Sequence, residues 1–129
     1  MKVLIWVSVL VIMVFQCIVS LFAQEEIVFI GIPEIRINES GVRRISEKLA
    51  TEKATEFECT ITKIDDGFHW SSRENVTLLS TQSGIFTTFI ATNGSGYIRI
   101  ISGNTEKRFD YIEHLLLGLR TITYYGKSK

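Results

Sequence analysis

Chemistry that pairs a nucleophile with a base has few starting points in this chain. A thiol or hydroxyl nucleophile needs a base within hydrogen-bond reach, and the sequence offers two cysteines, Cys17 and Cys59, and two histidines, His69 and His114. In the run FECTITKIDDGFHW the apolar residues alternate, which puts Phe57, Cys59 and Ile61 on one strand face with Phe68 and Trp70, and His69 on the other. A Cys-His dyad is therefore disfavoured, and Cys59 reads as a buried, inert thiol. Ser71 or Ser72 beside His69 would suit a small hydrolase, but no third group or oxyanion donor accompanies them. Two isolated histidines and one inward thiol fall short of the three or four ligands of a zinc site. Neither a metal nor a cofactor is expected. Glu25 with Glu26 and Asp65 with Asp66 are adjacent pairs, which diverge along a strand or belong to a turn, unlike the facing carboxyls of acid-base catalysis. The glycine-rich NGSG, residues 93–96, joins two extended runs and opens no helix, so it is a hairpin loop and not a phosphate cradle.

The elements that would position these groups read as an α+β domain. EEIVFIGIPEIRIN, interrupted by Pro33, suits an edge strand or an extended arm. Val42, Ile45 and Leu49 recur at helical spacing and predict a short amphipathic helix starting near Ser40. A hairpin with Asp66 and Gly67 as its two loop residues follows, pairing Lys63 with Trp70. A second hairpin centred on Gly94 and Ser95 pairs Ala91 with Ile98 and Phe89 with Ile100. Its first face, Ile85, Phe89, Ala91, Ile98 and Ile100, is core-like. Its second face carries Phe86, Ile90, Tyr97, Arg99 and Ile101 with Thr88 and Thr92, and is the first place to expect a groove or interface. Phe109, Ile112, Leu116 and Leu119 fall on one helical stripe, with His114 opposite, predicting a core-facing helix that starts at Thr105 and stops near Arg120. The expected architecture is an antiparallel meander of about five strands packed against that C-terminal amphipathic helix and preceded by the short one.

The totals bound partners and compartment. The 129 residues are 46% hydrophobic with 14 basic and 14 acidic side chains, so no global field favours nucleic acid or an anionic surface. The stretch from Lys2 through Ala23 is almost wholly apolar. It reads as a signal peptide, residues 1–23, ahead of a single domain, residues 24–129, or as an uncleaved inner-membrane anchor over residues 3–23. Either outcome exports the domain to a periplasmic, secreted or membrane-tethered location. Only Cys59 then remains in the mature chain, so no internal disulfide forms. Asn38, Asn75 and Asn93 each begin an N-x-Ser/Thr triplet, which means surface glycans in a eukaryotic secretory route and is idle in most bacteria.

WSSREN, residues 70–75, is more specific than a generic strand: Trp70 points inward, while Ser71 and Arg73 point outward beside Glu74 and Asn75, which form the next turn. With SGIFTTFI and NGSGYIRI, it resembles a pattern in small exported bacterial proteins of uncharacterised function, where W-x-S-R-E-N precedes S-G-x-F and G-x-G-Y segments. The resemblance covers the middle third of the chain and implies a bacterial source and no activity. The function expected from all this is a non-enzymatic binding module of the cell envelope, contacting an envelope protein or a second copy of itself through Arg73, Glu74, Asn75, Tyr97 and Arg99. The alternatives are a small-ligand or lipid carrier with an apolar cavity under the terminal helix, and the Ser71/Ser72 hydrolase.

Overall fold

The structure is a computed structural model and describes residues 5–8, 10–11, 25–103 and 109–129. It is a closed eight-stranded antiparallel β-barrel with one extra outer strand and short helices, which corrects the expected open meander under a long helix. In chain order the elements are β1 (Glu25–Asn38), β2 (Gly41–Arg44), α1 (Glu47–Glu52), α2 (Ala54–Phe57), β3 (Cys59–Ile64), β4 (Gly67–Trp70), β5 (Val76–Ser83), β6 (Phe86–Ala91), β7 (Gly96–Ile101), β8 (Tyr111–Leu117) and β9 (Arg120–Ser128).

Closure comes from β1. Its first half pairs with β3, from Glu25 opposite Ile64 to Gly31 opposite Cys59, and its second half pairs with β9, from Gly31 opposite Ser128 to Ile37 opposite Thr123. The edge left free beyond β3 is taken by β2, which pairs with β1 alone. Pro33 sits where the β1–β9 register shifts, a position that tolerates a missing N–H. Closure leaves no open edge along β3 to β9, the usual remedy for the exposed hydrogen-bonding groups of a sheet. Gly31, where β1 passes from one partner to the other, gives way to the Tyr111 ring: a Cβ there would lie 2.6 Å from it.

The expected terminal helix is a hairpin. Residues 111–117 are strand β8 and the TITYY run lies within β9, with Gly118 in the left-handed conformation (φ 65°) at the turn. YIEHLLL alternates with Tyr111, Glu113 and Leu115 buried. Glu113 at an inward position disguised that period, because a carboxylate on an apolar face reads as a solvent-facing residue of a helix. The proposed helix start at Thr105 lies outside the described residues. The short helix after β1 is also displaced: Val42 is in β2, and helix α1 begins beyond Ser46, whose hydroxyl accepts the Leu49 N–H at 3.2 Å.

Both predicted hairpins form with their registers shifted by two and their strand residues on the expected faces, but Phe57 belongs to α2 and Ile85, expected in the core, precedes β6 and is 47% exposed. Ile61 lies opposite Trp70 and Phe89 opposite Ile98. In the first hairpin the turn is Asp65–Asp66, with Asp65 at φ 55°, one residue earlier than the Asp-Gly pattern suggests. Moving a turn by one residue changes the partners by two, so the side-chain alternation survives. As for the membrane anchor expected over residues 3–23, no helix among the described residues is long and apolar enough to cross a membrane, and of that segment the described parts are 5–8 and 10–11.

Side chains fill the barrel, as an interior of eight strands allows. Ile61, Trp70, Leu78, Phe89, Ile98 and Leu115 are buried along it, and Ile45, Ala50 and Phe57 from the β2–β3 connection close one end.

Candidate functional site

Two places in the molecule gather groups that could act: a polar centre inside the barrel and an apolar wall outside it. The polar centre is built around Glu113, which is fully buried. Trp70 Nε1 donates to its Oε1 at 3.1 Å, and Arg73 Nη2 donates to its Oε2 at 3.1 Å. Arg73 Nε lies 3.0 Å from Oε1 but its N–H is not aimed at that oxygen, so it adds ion pairing without a hydrogen bond. Trp70 comes from the end of β4 and Arg73 from the β4–β5 loop, so WSSREN places two of its residues on one carboxyl carried by β8. Arg73 Nη1 also donates to the Glu56 carbonyl at 3.1 Å, tying the loop to α2, and its guanidinium stands 6.0 Å over the Tyr124 ring.

Burial sets the acid-base character of this centre. Removal from water pushes the Glu113 carboxyl above its ordinary value, outweighing the opposing pull of the Arg73 charge and of the Arg73, Trp70 and Cys59 hydrogen bonds. Burial, with Glu113 nearby, raises the Cys59 thiol well above its usual range, so it stays protonated. Tyr111 and Tyr124 are raised for the same first reason. The Tyr111 hydroxyl and Arg36 Nε are buried with no hydrogen-bond partner among the described residues. A sealed thiol, a carboxyl committed to two donors and protonated phenols make a structural centre. Nothing there reaches solvent as a nucleophile.

The outer wall follows from the strand registers. Across β6, β7, β8, β9, β1 and β2, Ile90, Tyr97, His114, Thr123, Ile37 and Val42 lie opposite one another in one row. The next row is Thr88, Arg99, Ile112, Tyr125, Ile35 and Arg44. Phe86 and Ile101 extend it on β6 and β7. Phe86, Ile90 and Leu116 are about two-fifths exposed or more, at 39%, 45% and 42%. The outer face of β3 to β5 is more polar, carrying Thr60, the buried Thr62, His69, Thr77 and Thr81, although Leu79, 61% exposed and opposite Ile90, continues the apolar wall onto β5.

Two grooves lie side by side on the apolar wall. One, about 290 Å³, is lined by Phe86, Arg99, Ile101, Phe109, Tyr111, Ile112 and Tyr125. The other, about 390 Å³, is lined by Thr88, Ile90, Ala91, Gly94, Gly96, Tyr97, Arg99, His114 and Leu116. Arg99 borders both. Its Nε donates to Thr88 Oγ1 at 3.2 Å and its guanidinium lies 5.9 Å over the Phe86 ring. Tyr97 stacks on His114, ring centres 5.2 Å apart, and His114 Nδ1 shares a 2.8 Å hydrogen bond with Thr123 Oγ1.

The residues singled out in the sequence therefore separate. Tyr97 and Arg99 are together on the outer wall, as the second face of the hairpin required. Arg73 is turned inward. Glu74 and Asn75 are exposed and left-handed, at φ 57° and 55°, and form the turn into β5. Ser71 Oγ donates to the Thr60 carbonyl at 3.0 Å and Ser72 Oγ accepts the Thr60 N–H at 2.9 Å, and no hydrogen bond joins either to His69 among the described residues. The described residues contain no cluster of three or more His, Cys, Asp or Glu placed to hold a metal. Glu113, Tyr111 and Phe109 escaped sequence reasoning because they stood in the supposed helix. The signal for them was the Gly118 turn between two runs that both alternate. Comparison with known protein families, with curated proteins and with solved structures finds no match to this chain.

Proposed function

We propose that the chain is a non-catalytic binding module that carries a small, largely apolar ligand with one anionic group on its outer wall, the anion at Arg99. The observation that carries this is the position of Arg99 on the border of two apolar grooves, each within or close to the size range of small-ligand sites. The Phe86 ring and the Thr88 hydroxyl hold the guanidinium, while its other N–H groups meet no acceptor among the described residues. A planar cation held against aromatic surface presents donors suited to a carboxylate or sulfonate. Flanking aromatic and branched side chains remove an apolar ligand body from water at roughly 25 cal/mol per Å². The leader over residues 1–23 makes export part of this proposal. A cavity beneath a terminal helix, the carrier arrangement expected from sequence, is replaced by the wall itself, and Arg73, engaged inside, drops out as a contact while Glu74 and Asn75 stay exposed at their turn.

Fluorescence titration with anilinonaphthalenesulfonate, an apolar anion, tests the proposal. Saturable binding should weaken about ten- to hundredfold in Arg99→Ala, the loss of one charge-assisted hydrogen bond of about 1.5 to 3 kcal/mol, and less in Arg99→Lys. Competition by a medium-chain fatty acid should show the same dependence on Arg99. Binding indifferent to Arg99, with unfolding midpoints unchanged, overturns it.

A further inference from the structure

We propose that Asn38, Asn75 and Asn93 are acceptors for N-linked glycans, so that the exported chain carries its sugar on one end of the barrel. Three of the four asparagines in the chain, all but Asn104, stand two residues before a serine or threonine: Asn38-Glu39-Ser40, Asn75-Val76-Thr77 and Asn93-Gly94-Ser95. Such a triplet accepts sugar in an exported protein when it sits in a surface turn. The fold meets that condition three times. Asn38 ends β1, Asn75 immediately precedes β5, and Asn93 lies in the turn between β6 and β7. Neighbouring barrel strands are antiparallel throughout, so the end of β1, the start of β5 and the end of β6 are at the same end of the barrel.

The folded turns leave the amide nitrogens free to carry the sugar once it is attached. Asn38 Oδ1 accepts the Ser40 N–H at 2.9 Å and Asn93 Oδ1 accepts the Ser95 N–H at 3.0 Å. These turns occupy the amide oxygen, hold the hydroxyl residue close, and leave Nδ2 without a partner among the described residues. Asn75 and Asn93 are exposed and Asn38 is half-exposed. In the transfer, Nδ2 bonds to C1 of an oligosaccharide delivered as a polyprenyl diphosphate. The C1–O bond to phosphate breaks, the diphosphate leaves with the electron pair, and the amide loses one proton. An export route holding that donor is required, which sets aside the bacterial source implied by the WSSREN resemblance. The inference is independent of the ligand at Arg99. It meets that site only at the Asn93 turn, whose Gly94 and Gly96 border the larger groove.

The test is translation of the full-length chain with microsomes from the endoplasmic reticulum, with protection from added protease and mass read before and after peptide-N-glycosidase. The expected product is protected and carries three glycan steps, all removed by the enzyme with conversion of each asparagine to aspartate. Asn38→Gln, Asn75→Gln and Asn93→Gln should each delete one step. Ser40→Ala, Thr77→Ala and Ser95→Ala, which keep the asparagine, should delete the same steps. Because transfer occurs on the entering chain, the readout does not depend on whether a variant folds. A protected chain of unmodified mass overturns the inference, as does a chain that is never protected.

Discussion

On its inner face β8 presents Tyr111, Glu113 and Leu115, and on its outer face Ile112, His114 and Leu116. The carboxyl is inside, and isoleucine and leucine are outside. Inside, the carboxyl is tolerated because it is committed: Trp70 and Arg73 satisfy it, and Arg73 is in turn held by Glu56 and by the Tyr124 ring. Outside, the apolar side chains have no such commitment, and a contiguous exposed patch of that kind marks a binding surface more often than chance exposure does. The inner face thus shows groups whose interactions are used up by folding, and the outer face shows groups whose interactions are still available. Function belongs on the second.

The sharpest way to break that contrast is to remove one member of the inner pair. Glu113→Leu leaves the Arg73 guanidinium with 19% of its side chain exposed and no counter-charge, and Arg73→Met leaves a carboxyl with no exposure at all and no cation beside it. Each single change should cost about 3 to 5 kcal/mol, as expected for stranding one partner of a buried pair. The double variant Arg73→Met with Glu113→Leu should recover most of that loss, because the remaining interior is apolar. Urea unfolding of the four proteins closes the cycle. Single-variant losses under about 1 kcal/mol would mean the pair is solvated and does not hold the barrel together.

The same residue gives the pH dependence. Burial raises Glu113 in the folded barrel above its value in the unfolded chain. Between those two values the native state binds more protons than the unfolded state, so this group lowers stability as pH rises through that window. Its contribution is therefore most favourable on the acid side and is lost as pH climbs past the raised folded value. In Glu113→Gln that component is absent, and the slope of unfolding free energy against pH above the ordinary glutamate range should flatten. An identical slope in the two proteins would remove Glu113 as its source.

How much of this was legible beforehand depended on how local the cause was. Which residues of the two central hairpins share a face could be read from alternation, because a period of two is written in adjacent residues. Their registers could not, since turn choice moved by a single residue at Asp65. The terminal helix failed at Glu113, where a charge inside the barrel broke the apolar pattern that identifies a buried strand face. Closure was out of reach in principle: β1 meets β9 roughly ninety residues away in sequence, from Gly31 opposite Ser128 onward, and no local signal in either strand specifies that partner. Of the site, Tyr97 and Arg99 were accessible because they follow from the hairpin face, whereas Phe109 and Tyr125 depended on the strands that replaced the helix.

The smallest effect on stability should come from the outer wall, and that is what gives it diagnostic value. Phe86→Ser and Ile90→Ser replace side chains already in contact with water, so each should change unfolding free energy by no more than about 0.5 kcal/mol. If the wall binds a ligand, the two differ in another respect. Phe86 supports the Arg99 guanidinium and lines the smaller groove, while Ile90 lines only the larger one. Phe86→Ser should then weaken the apolar anion more than Ile90→Ser does, and a larger neutral probe confined to the Tyr97–His114 side should show the reverse order. Calorimetry on the two variants separates these outcomes. Equal losses for both probes would make the wall one undivided surface, and large losses of stability would place it with the interior, as part of what holds the barrel together.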